Sequence, residues 1–194
     1  MKVDQHSIPL NPCNGFYEEF VLDPAETGNV LPGAMLAQKA VATTQADGIA
    51  KAVLSSQVAA GTDIDNVEIF VAVENALLGK SINHKAFRGE VTPVYRPVSG
   101  DRYLVRAVAG NYAEGDALYL VQTANGIYFT KASGENTGNE IKAYAAESFV
   151  IPAATNTALV PPFYYDVVDD STTERPATTR MNGGVMNLLR VRFA

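Results

Sequence analysis

The chain has 194 residues but only one cysteine, two histidines and no tryptophan. A lone thiol, Cys13, excludes an intrachain disulfide. Only His6 lies near it in sequence, so it reads as a small semi-apolar filler rather than an activated nucleophile. With His6 and His84 alone, the HExxH, CxxC and GxSxG spacings are all missing, and His84 sits among polar turn residues in "SINHKAFRG". The lack of tryptophan removes the ring on which a sugar usually stacks, although two carboxylates could still meet from distant positions for glycosidase-like chemistry. Charge is scarce as well. Charged residues make up 19% of the chain, below the usual ~25%, which leaves a quiet surface suited to resting against another protein. Acids outnumber bases by 21 to 15, for a net charge of −6. No basic stripe is visible that would displace counterions from phosphates, and the same deficit argues against an anionic membrane surface. No apolar run reaches the ~20 residues of a membrane span. The opening "MKVDQHSIPLNPCNG" lacks the apolar stretch of a secretory leader, so synthesis in a reducing cytoplasm is expected. The expectation is no cofactor, no metal, no nucleic-acid partner and no membrane.

What is present is strand cadence. Hydrophobic residues form 47% of the chain, enough for a packed core at this length. Pro9, Pro12 and Gly15 break any helical period over residues 1–15, which read as an extended N-terminal arm or a frayed end. "FYEEFVL" is a first strand and "DPAETGN" a turn-rich connection. "VLPGAMLAQKAVATTQADG" is ambiguous: its alanines suit a helix, while Pro32-Gly33 signals a turn. Val67, Ile69, Val71 and Val73 alternate at the period of a strand. "GEVTPVYRP" carries Pro93, which predicts an edge strand. "RYLVRAVA" places Tyr103, Val105 and Ala107 on one side and Arg102, Leu104 and Arg106 on the other. "DALYLVQ" and "GIYFTKA" flank Asn125-Gly126, a hairpin signal, and "EIKAYAAESFVI" continues the alternation. The pairs Gly100-Asp101 and Gly115-Asp116 punctuate the sheet: glycine supplies backbone freedom and aspartate bonds its own backbone two residues on. The fold class that follows is mainly β, a short-stranded β-barrel or sandwich over residues 16–151. A Pro/Thr-rich loop over residues 152–184, containing Phe163-Tyr164-Tyr165, reads as an interaction loop. Residues 185–194 complete the sheet as a C-terminal strand in which Leu189, Val191 and Phe193 alternate with Arg190 and Arg192. No convincing internal repeat is visible.

Three stretches faintly suggest chemistry. "ENALLGKS" ends like a phosphate-binding loop, but Glu74 stands where the leading glycine belongs and would repel phosphate. "TDIDN" begins like a calcium loop but lacks the glycine and the closing glutamate, so it reads as a surface turn. Asp169-Asp170 with Glu174 reads as a solvated or interface acidic cluster.

In order, "VAVENALLGKSI", "RGEVTPVY", "SGDRYLVRAVAG", "YAEGDALYL" and "GNEIKAYAAES", with "NVLPGAMLA" upstream, resemble the strand-and-turn cadence of head decoration (cement) proteins of tailed bacteriophages. The resemblance spans about half of the chain, and the segment 152–184 departs from it. It implies a β-barrel on the outer surface of the virion capsid that bridges neighbouring major capsid protein subunits, usually as a homotrimer, with an extended arm adding to the contact. The residues expected to make capsid or subunit contacts are Ile8, Leu10 and Phe16 in and beside the arm, the aromatics Phe163, Tyr164 and Tyr165, and Arg190 with Arg192 on the last strand. Two other readings stand beside it: another virion subunit such as a head–tail connector, tail-tube or fibre-base protein, and an enzyme of the carboxylate-hydrolase kind. The expectation is a structural protein and not an enzyme.

Overall fold

The structure is a computed structural model that describes residues 8–10, 14–26, 30–39, 43–44, 50–51, 53–59, 61–74, 86, 88–123, 126–131, 138–151 and 188–194. Its strands are β1 (Phe16–Leu22), β2 (Met35–Gln38), β3 (Thr43–Thr44), β4 (Ala50–Lys51), β5 (Val53–Ser55), β6 (Ile69–Ala72), β7 (Val91–Arg96), β8 (Arg102–Arg106), β9 (Gly110–Tyr112), β10 (Ala117–Thr123), β11 (Gly126–Thr130), β12 (Ala143–Ala145), β13 (Phe149–Ile151) and β14 (Leu188–Phe193). The fold is mainly β, with a small closed five-stranded barrel and further strands.

The barrel runs β5-β1-β7-β6-β2 and closes because β5 pairs with β1 on one side and β2 on the other. While β9 with β13 and β3 with β4 form two separate two-stranded sheets, strands β11, β10, β12, β14 and β8 continue the same sheet from β2. This second group also curls on itself. Ala107, just past β8, forms a parallel bridge to Phe129 of β11, and Val108 N–H donates to the Phe129 carbonyl at 2.9 Å. Two rings therefore share one wall. On β2 and β6, Leu36, Phe70 and Ala72 point into the first ring, while Met35, Ala37, Val71 and Val73 join the core of the second. Strands buried on both faces need apolar residues at every position, which is why "AMLA" and "IFVAV" read as runs rather than alternations. The second core is larger and is filled by Tyr103, Val105, Leu118, Leu120, Ile127, Phe129, Leu189, Val191 and their neighbours. An unbroken series of ring contacts, Tyr95–Tyr103 at 5.9 Å, Tyr103–Phe193 at 5.6 Å and Phe193–Phe129 at 5.9 Å, links β7 to that core.

β7 departs from expectation. Despite Pro93 it is an interior strand, lying between β1 and β6. The register explains how. Leu22 N–H donates to the Glu90 carbonyl, so hydrogen-bonded pairs alternate from there and Glu19–Pro93 falls on a non-hydrogen-bonded pair. The missing proline N–H is not needed toward β1. Toward β6 the Pro93 carbonyl still accepts Val73 N–H at 3.1 Å, at the very end of that ladder. The ambiguous "VLPGAMLAQ" is turn followed by strand β2, with Gly33 at φ +84°.

The two Gly-Asp pairs do the same thing twice. Gly100 (φ +89°) and Gly115 (φ +90°) each begin a bulge in which glycine and aspartate together oppose one residue of the neighbouring strand. Gly100 N–H donates to the Phe193 carbonyl and Phe193 N–H to the Asp101 carbonyl; Gly115 and Asp116 repeat the pattern against Ala145. Each aspartate side chain accepts the N–H three residues back, Val98 for Asp101 and Ala113 for Asp116, rather than one two residues ahead as the sequence suggested. The bulges open β8 and β10 in matched fashion, a local repeat too short to show in the residue pattern.

Candidate contact surfaces

The stretch expected to be a free arm is partly sheet. Pro9 bridges Tyr103 in antiparallel fashion, Leu104 N–H donates to the Ile8 carbonyl at 2.8 Å, and Leu10 N–H donates to the Arg102 carbonyl at 2.9 Å. Residues 8–10 thus cover the outer edge of β8. Ile8 is fully buried in the second core and Leu10 packs against it. Ile8 therefore has no surface to present to a capsid: it pairs with Leu104 on the side of β8 that the 31–34 turn covers, where a Cβ on Gly33 would lie 3.3 Å from Ile8 Cδ1. Glu74, the residue that ruled out a phosphate loop, accepts Ile8 N–H at 3.3 Å and helps hold the segment down. Close approach continues at Gly15, where a Cβ would lie 2.5 Å from both the Arg96 carbonyl and the Tyr103 hydroxyl.

Phe16 is different. It is 64% exposed at the start of β1, beside Tyr17 at 52%, and Val91 on β7 is 49% exposed. Tyr17 and Tyr95 are directly opposed across β1 and β7, with ring centroids 5.6 Å apart. Burial raises the Tyr17 phenol above its ordinary value, and its hydrogen bond to Glu19, the Glu19 charge and Tyr95 push the same way. A second exposed apolar pair, Phe149 and Val150, lies on β13, away from β1 in the pairing order.

Arg190 and Arg192 project from β14 while Leu189, Val191 and Phe193 are buried, as the alternation predicts. The fold adds a third arginine that sequence reading did not connect with them. Arg102 on β8 sits directly opposite Arg192, and Tyr144 on β12 flanks it on the other side. The Arg192 guanidinium carbon lies 5.7 Å from the centre of the Tyr144 ring. Arg106, four residues further along the same side of β8, is not on this surface. The Leu31–Ala34 turn of the first ring covers it, Pro32 carbonyl accepts its Nε–H at 3.0 Å, and burial pulls its pKa down to about 10 against an opposing influence of Tyr128. No alternation could reveal that cover, because it comes from 74 residues away.

The acids of "TDIDN" cap turns. Asp63 caps the short 3-10 turn Ile64–Asn66, and Asp65 accepts N–H from Asn139 and Glu140 at 2.5 and 3.1 Å. Among the described residues, no group of three or more His, Cys, Asp or Glu is placed to hold a metal ion, and no helix is long and apolar enough to cross a membrane. An open cleft of about 240 Å³ lies where the rings meet, lined by Met35, Ile69, Leu120, Phe129, Ile141 and Phe193 among others. Phe163, Tyr164, Tyr165, His6, His84, Cys13 and the acidic residues Asp169, Asp170 and Glu174 lie outside the described residues.

These features define a mainly β protein with a closed five-stranded barrel. No protein-family model matches the chain, and no curated protein matches it in sequence.

Proposed function

We propose that this chain is a capsid decoration protein that binds the outer surface of a bacteriophage head as a homotrimer and stabilises contacts between major capsid protein subunits. The observation that carries the proposal is the exposed outer face of β1 and β7, where Tyr17, packed on Tyr95, and Val91 lie on the same side of the ladder, with Phe16 exposed at the start of β1. Both ring interiors are filled by the chain's own side chains, so the outer faces carry what the protein offers to others. Large exposed apolar groups at one place mark interaction surfaces, and aromatic residues concentrate interface energy. The strand cadence shared with decoration proteins supports the same reading. The mechanism is multivalent burial: a trimer touching three neighbours makes its second and third contacts effectively intramolecular, raising avidity by ~10²–10⁴ over one contact.

Purified protein is expected to bind expanded, undecorated heads and to raise their resistance to heat. Deleting residues 1–15 would not test this cleanly, because it removes Ile8 from the core. Replacing Phe16 and Tyr17 with serine leaves the core intact and should weaken head binding. A chain that ignores heads and assembles alone into a large ring would point instead to a connector or tail-tube subunit.

A further inference from the structure

We propose that the outward face of the second ring, centred on Arg102, Arg190 and Arg192, docks a protein partner that presents clustered carboxylates. The first argument is the placement of the charges. Phe193 N–H donates to the Asp101 carbonyl, which makes 193–101 a hydrogen-bonded pair and puts the next pair, Arg192–Arg102, in the non-hydrogen-bonded register where opposed side chains come closest. Like charges directly opposite each other destabilise a sheet. Arg190 extends the same face two residues along β14, opposite Leu104. All three side chains are exposed, and among the described residues no carboxylate forms an ion pair with any of them. Glu147, which borders the face, accepts the backbone N–H of Arg190 at 3.1 Å. A chain with 21 acids and 15 bases could readily have placed acids here to relieve the repulsion. It places a tyrosine instead: Tyr144, which supports the Arg192 guanidinium from the side and limits the conformations lost when that fork engages a ligand.

Guanidinium forks bind planar anions bidentately, and carboxylate and phosphate both fit. Overall charge separates the two. A net charge of −6 repels a polyanion along its length, and three arginines neutralise too few phosphates to hold nucleic acid at physiological salt. A protein surface with a few carboxylates satisfies the three forks without that long-range cost.

The test uses the full chain and a short fluorescein-labelled peptide that carries a few adjacent glutamates, followed by anisotropy across a salt series. Saturable binding is expected, weakening with salt and falling by about tenfold, some 1.4 kcal/mol, in Arg102→Gln/Arg192→Gln. Urea unfolding of that variant should show an unchanged or higher midpoint, since the substitution removes an opposed pair of like charges. Should the double variant fold poorly, the exposed single change Arg190→Gln carries the same binding test. Absence of saturable binding, or equal binding by the variants, overturns the proposal. Tighter binding of a DNA duplex of comparable charge also overturns it, assigning the face to nucleic acid. The assay involves no capsid, so its failure leaves the head-binding reading to its own test.

Discussion

The carboxylate of Asp101 accepts the backbone N–H of Asn14 at 2.6 Å, tying the N-terminal segment to the bulge that opens β8. The same fully buried side chain accepts Val98 N–H at 3.0 Å and the Tyr103 hydroxyl at 3.2 Å. Its counterpart, Asp116, is half-buried, accepts Ala113 N–H at 2.9 Å and lies 3.7 Å from the Lys131 ammonium.

Asp101→Ala is therefore expected to cost far more than Asp116→Ala, although the two occupy equivalent places in sequence. Three donors lose their acceptor at position 101, two of them backbone groups that must find another partner or stay unsatisfied, for a loss of about 2–4 kcal/mol. At position 116 water replaces the carboxylate, and the loss should stay under about 1 kcal/mol. Urea unfolding of the two variants checks this; equal losses would mean that the buried hub contributes nothing beyond its turn.

Gly33 and Gly100 separate backbone strain from steric exclusion. Both have positive φ, +84° and +89°. A Cβ at Gly100 meets nothing within 4 Å, whereas at Gly33 it would lie 2.7 Å from Leu188 Cδ2 and 3.1 Å from the Leu104 carbonyl. Gly100→Ala should cost about 1 kcal/mol from conformation alone. Gly33→Ala should cost a further ~1–3 kcal/mol, because the turn that seals Arg106 must move off β14 and β8. Thermal unfolding midpoints for the pair give the comparison, and Gly33→Ala matching Gly100→Ala would show that the turn yields freely.

Asp23 predicts part of the acid response. Burial alone would raise its pKa, but the Lys39 hydrogen bond, the Ala25 N–H and the Lys39 charge together outweigh burial and hold it below the ordinary 3.8. A folded value below the unfolded one stabilises the fold above pH 3.8, and that contribution disappears as pH falls from 3.8 through the lower folded value. Asp23→Asn should reduce stability at neutral pH and flatten the loss on acidification within that window. Unfolding followed from neutral pH into the acid limb measures both, and an unchanged slope would remove Asp23 from the acid response.

Much of the fold was legible from local pattern. The strand at Phe16–Leu22, the hairpin of β10 and β11, and the alternation of β14 follow from side-chain period and turn chemistry, which act over a few residues. Pro93 misled because an edge is only one way to avoid a ladder bond; the end of a neighbouring ladder is another, since position 93 turns its nitrogen away from β1 toward β6, whose pairing stops at Ala72. Ile8 misled for a similar reason. Its neighbour Pro9 bridges Tyr103 in an extended segment, but only the pairing with β8 decides which side of that segment is buried.

By itself, then, the sequence determined a mainly β chain, the places of its turns and which face of each well-patterned strand is apolar, because these depend on neighbours a few bonds away. The tertiary structure alone decided that β2 and β6 form a wall shared by two rings, that the 31–34 turn encloses Arg106, and that Arg102 stands opposite Arg192. Those outcomes depend on which distant segments pair and in what register, and burial of apolar area rewards the pairing as a whole without leaving a mark on any single stretch.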